Sequence, residues 1–244
     1  MKFSIIIASL NAEALIQRAI SSVLSQDYTN YEIIVQDGGS TDQTVNILKQ
    51  FTSNVNWVSE PDAGIYDAWN KALDRVTGDW ALFLGADDLL LDKAVLSKCW
   101  KHLTRLPPEV WFAYGTLILG EAGQPSMVVA RSLLNAYHHF FVDLGLPFPA
   151  TFTRVPVLKK HRFDASFRIV GDFDFAARLI SPSNVARLPV EISYMEMGGI
   201  SSNLQYQNIL LQERLRVLRT RVAPKAQELL QACMELLEKE AFPG

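Results

Sequence analysis

Two adjacent carboxylates, Asp87 and Asp88, follow the apolar stretch Trp80–Leu84, whose composition is typical of a buried strand. Neighbouring ionised carboxylates repel each other, and partial burial raises that cost. A divalent cation relieves the repulsion. Hard oxygen ligands favour Mg²⁺ or Mn²⁺, and a phosphate-bearing ligand can complete the coordination. The alternative is an ordinary pair of helix N-cap residues, because Asp also favours that position.

A second polar cluster, Asp37–Asp42, has the sequence Asp-Gly-Gly-Ser-Thr-Asp. Its glycines allow a ligand to approach the backbone, and Asp37 can accept hydrogen bonds from a base or a ribose. Alternatively, the cluster is only a turn with helix-capping residues. The chain contains neither the Gly-x-x-x-x-Gly-Lys pattern of a P-loop nor the Gly-x-Gly-x-x-Gly pattern of a dinucleotide site.

The predicted strands and helices that must position these clusters alternate along the first 106 residues. This alternation predicts βαβ units and a parallel sheet, whose loops after the strands meet at one edge. The polar clusters fall on those loops: Ser9–Asn11, Asp37–Asp42, Glu60–Gly64 and Asp87–Asp88. The predicted strands are Phe3–Ser9, Tyr31–Gln36, Val55–Ser59 and Trp80–Leu84, and the predicted helices run from a cap at Asn11 to Ser25, from the second cluster through Phe51, and over Gly64–Arg75 and Asp92–Leu106.

The second half of the chain is less regular. Its final segment is helical in pattern from Leu204 to about Glu240, with Pro224 marking a second helix start. We therefore predict an α/β domain over residues 1–202, divided into halves 1–106 and 107–202, and a helical extension over 203–244. The other predicted elements are a hairpin of strands Val110–Leu119 and Ser126–Ala130, helices Val155–His161 and Asp172–Ile180, and a strand Val185–Val190.

Composition excludes several classes of protein. The chain has 244 residues, of which 49% are hydrophobic and 20% charged, which is ample for a packed core and argues against disorder. The formal net charge of -3 does not suit a nucleic-acid-binding protein. The two cysteines, Cys99 and Cys233, have no Cys or His neighbour at metal-binding spacing, which argues against zinc and against a disulfide framework.

Several motifs, in order and at matching spacing, resemble glycosyltransferase family 2. The stretch Ser59–Lys71 is similar to the branch of that family that builds bacterial cell-surface polysaccharides, and the resemblance continues more loosely to Gly199–Ser201. It implies a GT-A fold with a Rossmann-like, mostly parallel sheet, a nucleotide-sugar donor, and inversion at the anomeric carbon. The motifs that carry it are Ile5–Asn11, Ser21–Gln26, Asp37–Thr44 and Phe83–Asp88.

The resemblance also implies roles for individual residues. Asp87 and Asp88 correspond to the family's acidic metal-binding motif, with Asp88 as the direct ligand of Mg²⁺ or Mn²⁺. Asp172 falls at the position of the catalytic base, which takes the proton of an acceptor hydroxyl, and the nearby Asp174 is the alternative. Both acids otherwise suit the start of a helix. The residues implied to bind the donor are Ser9, Asn11, Asp37, Asp62, Gly64, Asn70, Lys71 and Asp87.

The sequence departs from the family pattern at three places. Gly38 stands where a second acid often follows Asp37, and Gly171 stands where a Glu usually precedes the base. Phe148-Pro149 replaces a His-Gln pair, so we expect a different acceptor pocket. The Gln-x-x-Arg-Trp motif of processive members is absent, which indicates that one sugar is added per encounter.

These features predict an inverting, metal-dependent transfer of one sugar, from a UDP-sugar by family precedent, to a saccharide or lipid-linked acceptor. A catalytically degenerate sugar-nucleotide-binding module is the non-enzyme alternative, which the intact acids argue against. A sugar-phosphate nucleotidylyltransferase needs a glycine-rich basic loop after the first strand, and Ala8–Ala12 has neither property. A glycoside hydrolase also uses two carboxylates, but it leaves the nucleotide-type loops unexplained.

The last two segments leave alternatives open. Met197–Ser202 is either a lid with glycine hinges or an ordinary loop. The apolar stripe of Leu211, Leu215, Leu218 and Val222, bordered by basic residues, either packs on the domain or a second subunit or contacts a membrane surface. The start of the chain has a single Lys2 before a short β-branched run, which favours a strand in a cytoplasmic protein over a signal peptide.

Overall fold

The computed structural model describes residues 1–121, 124–129, 146–199 and 204–225. Its described strands join into one sheet. The strands are β1 (Phe3–Ser9), β2 (Tyr31–Asp37), β3 (Asn56–Ser59), β4 (Trp80–Gly85), β5 (Leu89–Leu90), β6 (Phe112–Glu121), β7 (Gln124–Val129), β8 (Thr151–Arg154) and β9 (Val185–Glu196). The α-helices are α1 (Ile16–Leu24), α2 (Thr44–Gln50), α3 (Ile65–Leu73), α4 (Val95–Leu103), α5 (Val155–His161), α6 (Gly171–Leu179) and α7 (Gln207–Val217).

The sheet has the strand order β3-β2-β1-β4-β8-β6-β9-β5, with β7 paired to β6. Strands β1 to β4 are mutually parallel, as the alternating pattern predicts. Beyond β4 the sheet is mixed, because β8 is antiparallel to both of its neighbours while β6 and β9 are parallel. The predicted α/β architecture is therefore confirmed, and its parallel part carries the four polar clusters.

The register of the parallel strands brings the polar loops to one edge. Ser9 at the end of β1 lies opposite Asp37 at the end of β2, and Asp37 lies opposite Ser59 at the end of β3. On the other side of β1, Ala8 lies opposite Gly85 of β4. The loops that follow all four strands therefore leave the sheet at the same edge, as parallel pairing requires.

Both faces of the sheet are covered, which explains why β1 lacks an alternating pattern. Ile5 and Ile7 join the apolar cluster on one face, Ile6 joins the cluster on the other, and all three are fully buried. Each buried isoleucine contributes about 1.5–3 kcal/mol to folding. A strand that is buried on both faces has no position for polar residues except at its ends.

A cluster of aromatic rings joins the two halves of the chain beneath the carboxyl edge. Trp69 of α3 lies 4.6 Å from Phe83 of β4, measured between ring centroids, and Phe163 lies 4.6 Å from Phe175 of α6. Phe148 contacts members of both pairs. The later half of the chain is thereby packed directly against residues 1–106.

The described part of the C-terminal segment packs on the domain. Helix α7 continues as a π-helical turn, Leu218–Val222, and helical backbone extends through 223–225, so the helix does not restart at Pro224. Its buried side chains are Leu210 and Val217, whereas Leu211 is 54% exposed. Leu211 therefore does not belong to the face that packs on the domain, while its contact with a second subunit or a membrane surface stays a prediction.

Some predictions concern residues outside the described part of the chain. Cys233, residues 200–202 of the predicted lid and the predicted helix beyond residue 225 belong to this group. Cys99 is described and is a buried free thiol. Within the described residues, no helix combines the length and apolar character that crossing a membrane requires.

Candidate active site

Asp37 is the centre of a hydrogen-bond network that ties three strand ends together. Its carboxylate is fully buried and accepts bonds from the hydroxyls of Ser9 (3.0 Å), Ser40 (2.5 Å) and Ser59 (2.6 Å), and from the backbone amides of Gly39 and Ser40. Burial acts to raise the pKa of Asp37, but these hydrogen bonds outweigh it and lower the pKa. The protein itself thus holds the carboxylate in place, and its predicted bonds to a ligand stay a prediction.

Asn11 joins the first and second polar loops. The residue has a positive φ of 49°, and its Oδ1 accepts a hydrogen bond from the backbone amide of Thr41 at 2.9 Å. Its own amide donates to the Ser40 hydroxyl at 2.8 Å. Helix α1 begins only at Ile16, so the prediction that Asn11 caps this helix was wrong. A local hydrogen bond to the neighbouring loop holds the side chain instead.

These loops border a first cavity of about 460 Å³. Of the predicted donor-binding residues, Ser9, Asn11, Asp62, Gly64 and Asp87 line it. Gly64 has a φ of 127°, a conformation that side chains disfavour, and it opens helix α3. The structure therefore brings five of the predicted residues together around one space.

Asp62 explains the missing acid at position 38. A Cβ atom on Gly38 would lie 2.6 Å from Asp62 Oδ2, so a side chain at position 38 would require the Asp62 carboxylate to move. Asp62 Oδ1 accepts a hydrogen bond from the amide of Gly64 at 2.9 Å. Burial raises the pKa of Asp62, and neighbouring acids add to the shift. A carboxylate is thus supplied beside position 38 from the third loop.

Three predicted donor-binding residues line neither cavity: Asp37, whose hydrogen bonds are given above, Asn70 and Lys71. Both side-chain amide atoms of Asn70 are used by the backbone of Phe163, at 2.9 Å each. Lys71 Nζ donates to the carbonyl of Pro61 at 2.8 Å and lies 3.2 Å from Asp67 Oδ2. These residues fix the segments on either side of the first cavity, and a sequence pattern cannot distinguish that role from ligand contact.

Asp87 and Asp88 lie in the loop that leaves β4. Asp88 is only 3% exposed; its Oδ2 accepts the amide of Gly85 at 2.6 Å, while its buried Oδ1 has no hydrogen-bond partner in the described structure. Burial, followed by the charge of Asp87, raises the pKa of Asp88 to about 7. Burial and the charge of Glu196 raise the pKa of Asp87. Such destabilised carboxylates favour a bound cation.

The helix-capping alternative for this acidic pair fails. Strand β5 follows Asp88, and helix α4 begins later, with Ala94 at its N-cap and no side-chain cap. The described residues contain no group of three or more His, Cys, Asp or Glu placed to hold a metal. Two carboxylates with one orphaned buried oxygen fit Mg²⁺ or Mn²⁺ only if a ligand supplies further oxygens, as a diphosphate does.

Asp172 lies in the first turn of α6 and faces a second cavity of about 210 Å³, whose lining also includes Asp87, Asp88 and Glu196. Asp172 Oδ1 accepts the amide of Phe173 at 2.8 Å and lies 3.1 Å from the hydroxyl of Tyr66. Burial raises the pKa of Asp172 to about 6, despite these bonds. The two acids predicted to bind the metal, Asp87 and Asp88, and the acid predicted to be the base, Asp172, therefore line the same cavity.

The neighbouring acid and glycine have structural roles. Asp174 is fully buried between Arg178 Nε at 2.9 Å and Arg221 Nε at 3.0 Å. A Cβ atom on Gly171 would lie 2.7 Å from the ring of Tyr66, so a Glu cannot stand there without moving that ring. The ion pairs favour Asp172 over Asp174 as the acid that faces substrate.

Sequence reasoning missed Arg168. This exposed arginine lines both cavities and is the only cationic residue among their described lining residues. The two linings also share Ile65, Gly85 and Asp87. The sequence does place Arg168 four residues before Asp172, but only the fold shows that both residues line the same cavity.

Comparison with solved structures identifies the fold as GT-A. S. aureus TarS bound to UDP superposes with a TM-score of 0.68 at 20% identity, over 91% of this chain and 65% of that chain, so this chain spans less than two thirds of TarS. Glucosyl-3-phosphoglycerate synthase from Mycobacterium tuberculosis, in complex with Mn²⁺, UDP and phosphoglyceric acid, gives 0.64 at 16% identity, over 90% and 78%.

Sequence comparison gives the family. The model for Glycosyl transferase family 2 matches residues 4–124. A PGL/p-HBAD biosynthesis glycosyltransferase of Mycobacterium tuberculosis is 30% identical over 217 residues, which cover 83% of this chain and 80% of that protein. A GalNAc(5)-diNAcBac-PP-undecaprenol beta-1,3-glucosyltransferase of Campylobacter jejuni is 31% identical over 103 residues, 38% of this chain and 32% of that protein. The chain belongs to glycosyltransferase family 2 and is a glycosyltransferase.

Proposed function

We propose that the chain transfers one sugar from a UDP-sugar to a hydroxyl of a saccharide or lipid-linked acceptor, with inversion and with a divalent cation, in the synthesis of a cell-surface glycan. The observation that carries this proposal is the second cavity, where Asp87, Asp88 and Asp172 line one space that borders the first cavity. An inverting transfer needs this pairing of a leaving-group site with a base on the acceptor side.

The first cavity suits the nucleoside part of the donor. The Ser9–Asn11 loop, Asp62 and Gly64 supply polar groups and open backbone around it. Support for uridine comes from TarS and glucosyl-3-phosphoglycerate synthase, both of which hold UDP. Support for a lipid-linked acceptor comes from the Campylobacter relative, whose name specifies an undecaprenol-linked substrate.

Asp88 and Asp87 would hold Mg²⁺ or Mn²⁺ together with the donor's diphosphate. When bound, such an ion stabilises the negative charge that builds on the leaving diphosphate. The orphaned Asp88 Oδ1 supports this assignment, because a buried carboxylate oxygen without a partner is costly unless a ligand reaches it. Structures of related fold contain Mn²⁺, which is consistent with the donor set found here.

Asp172 acts as the general base. It takes the proton of the acceptor hydroxyl while that oxygen forms a bond to the anomeric carbon, and the bond from that carbon to the diphosphate oxygen breaks on the opposite face. Nucleoside diphosphate leaves with the electron pair. A pKa of about 6 leaves Asp172 ionised at neutral pH and more basic than an exposed carboxylate. The amide of Phe173 fixes the carboxylate's orientation.

A donor screen tests the proposal. Melting temperature is measured against a panel of UDP-, dTDP- and GDP-sugars with Mn²⁺ and again with EDTA, and the stabilising donors are then incubated with saccharide and polyprenyl-linked acceptors. We expect Mn²⁺-dependent stabilisation by a UDP-sugar, release of UDP that depends on the acceptor, and an inverted anomeric configuration by NMR. Stabilisation without release of nucleotide for any acceptor would indicate a binding module, and retained configuration would exclude the mechanism.

A further inference from the structure

Arg168 occupies the boundary between the two cavities. It lines both of them, as does Asp87, so a ligand that extends from the first cavity into the second passes between this cation and the acidic pair. In the proposed reaction the part of the donor that crosses this boundary is the diphosphate. A guanidinium suits that position, because its fork of N–H donors matches phosphoryl oxygens.

The guanidinium of Arg168 is available for a ligand, unlike those of four arginines in the same half of the chain. Arg162, Arg178, Arg216 and Arg221 each form an ion pair with an aspartate. No carboxylate in the described structure pairs with the side chain of Arg168, which lies over the ring of Tyr206 at 5.1 Å from the centroid. A cation that is exposed, stacked and without an acidic partner retains its capacity to bind an anion.

The C-terminal helix holds the segment that carries Arg168. Glu213 of α7 accepts three consecutive backbone amides, from Arg168 at 2.6 Å, Ile169 at 2.9 Å and Val170 at 3.1 Å. One carboxylate therefore fixes the backbone of residues 168–170, two positions before Asp172. Three charge-assisted bonds from one acceptor hold a backbone more firmly than neutral bonds do.

We propose that Arg168 binds the diphosphate of the donor and that Glu213, in the C-terminal helix, is the positioning residue that holds it there. This inference rests on the proposed function. It extends that function by adding the C-terminal segment, through Glu213, to the donor site. Tyr206, in the same segment, stabilises the guanidinium of Arg168 by a cation–π contact with its ring.

Calorimetric titration of the full chain with UDP and Mn²⁺ tests the first part. Arg168→Ala weakens binding by about tenfold or more, since a charge-assisted contact is lost. Arg168→Lys recovers part of the affinity, because an ammonium keeps the charge without the fork. The matched control is Arg18→Ala, an exposed arginine of α1 outside both linings, which binds like wild type. Wild-type affinity in Arg168→Ala would overturn the proposal.

A double-mutant cycle tests the second part. Glu213→Gln keeps the size of the side chain but places an amide N–H₂ against backbone donors, and we expect UDP binding to weaken by about threefold or more. Combined with Arg168→Ala, the same change produces no further loss, because Glu213 acts through Arg168. An equal further loss in the double variant would show that Glu213 supports only the general fold and would overturn its assignment.

Two controls separate the inference from the proposed function. Gln212→Ala changes an exposed neighbour on the same helix and leaves UDP affinity unchanged. If the wild-type chain binds neither UDP nor GDP in the presence of Mn²⁺, the proposed function fails and takes this inference with it. If wild type binds UDP and Arg168→Ala binds equally well, the proposed function stands and only the inference fails.

Discussion

Two acidic loops at the same edge of the sheet have opposite electrostatic states. Asp37 at the end of β2 accepts several hydrogen bonds from the protein, and its pKa is lowered. Asp88 after β4 has one donor and an orphaned buried oxygen, and its pKa is raised to about 7. The same residue type in the same kind of turn thus stabilises the fold in one loop and remains incompletely satisfied in the other.

This difference shows how to distinguish a structural acid from a functional one. Both aspartates follow apolar strands and both are buried, so burial alone does not separate them. The number of hydrogen bonds from the protein separates the two acids. A carboxylate that already accepts several such bonds needs no ligand, whereas a buried oxygen without a partner needs one. The direction of the pKa shift places Asp172 with Asp88, because burial raises the pKa of Asp172 despite the hydrogen bonds from Phe173 and Tyr66.

The largest expected effect belongs to the unsatisfied loop. Asp88→Asn lowers sugar transfer by about a thousandfold or more, because a metal ligand contributes several kcal/mol to stabilising the leaving group. Mn²⁺-dependent binding of UDP is lost with it. Initial rates and titration calorimetry measure both effects, with Asp27→Asn, an exposed acid, as the control. Full UDP binding by Asp88→Asn would remove the distinction between the two loops.

Asp172→Asn separates the base from the metal site. Transfer falls by about 10²–10⁴-fold, the range of general-base catalysis, whereas the affinity for UDP with Mn²⁺ stays within a factor of about two of wild type. The rate constant and the calorimetric affinity are measured on the same preparation. A loss of UDP binding as large as that of Asp88→Asn would contradict the division of roles.

Substitution of Asp37, whose carboxylate is satisfied by the protein, should lower the stability of the fold. Asp37→Asn turns an amide N–H₂ toward hydroxyl and amide donors, and each buried group left unsatisfied costs about 1–3 kcal/mol. We therefore expect the free energy of unfolding in urea to fall by about 3 kcal/mol, a loss of the kind seen when a buried polar network is broken. A change of less than about 0.5 kcal/mol would mean that the network around Asp37 is not structural.

The first half of the chain, residues 1–106, was largely predictable from the sequence because its polar clusters lie directly after its strands. Strands β1 to β4 and the polar clusters at their ends follow from apolar runs and turn residues, and parallel pairing alone brings the clusters together. The pattern does not give the direction of the side chains or their partners within the protein. Asp37, Asn70 and Lys71 have the right chemistry at the right edge, yet their polar atoms are used by the protein.

The later half was less predictable because its site depends on contacts distant in sequence. Glu213 lies 45 residues from Arg168, and Arg221 lies 47 residues from the buried Asp174 that it neutralises. No spacing rule connects such pairs, so Arg168 was missed. The face of α7 that packs on the domain was not predictable for the same reason, since tertiary contacts select Leu210 and Val217 and leave Leu211 exposed.

The pH dependence of transfer sharpens the grouping of Asp172 with Asp88. With Mn²⁺ at saturation, so that the cation keeps Asp88 ionised, the base alone sets the acid limb. The base must be ionised, and its pKa is about 6, so kcat/KM falls about tenfold per pH unit below that value. The native state also holds a proton on Asp172 that the unfolded chain has released, so its contribution to stability is lost as pH rises from about 4 to 6. An acid limb near pH 4 would show that the pKa of Asp172 is not raised, and Asp172 would then be grouped with Asp37 rather than with Asp88.

The smallest expected effect tests the orphaned oxygen directly. In EDTA, Asp88→Asn should raise the melting temperature by about 2 °C, because the amide keeps an acceptor for Gly85 and removes a buried charge next to Asp87, a gain near 1 kcal/mol in a domain of this size. With Mn²⁺ and UDP the order reverses, since only the wild type gains from the ion. A lower melting temperature for Asp88→Asn in EDTA would show that Asp88 is satisfied without a ligand, and that the two acidic loops do not differ in kind.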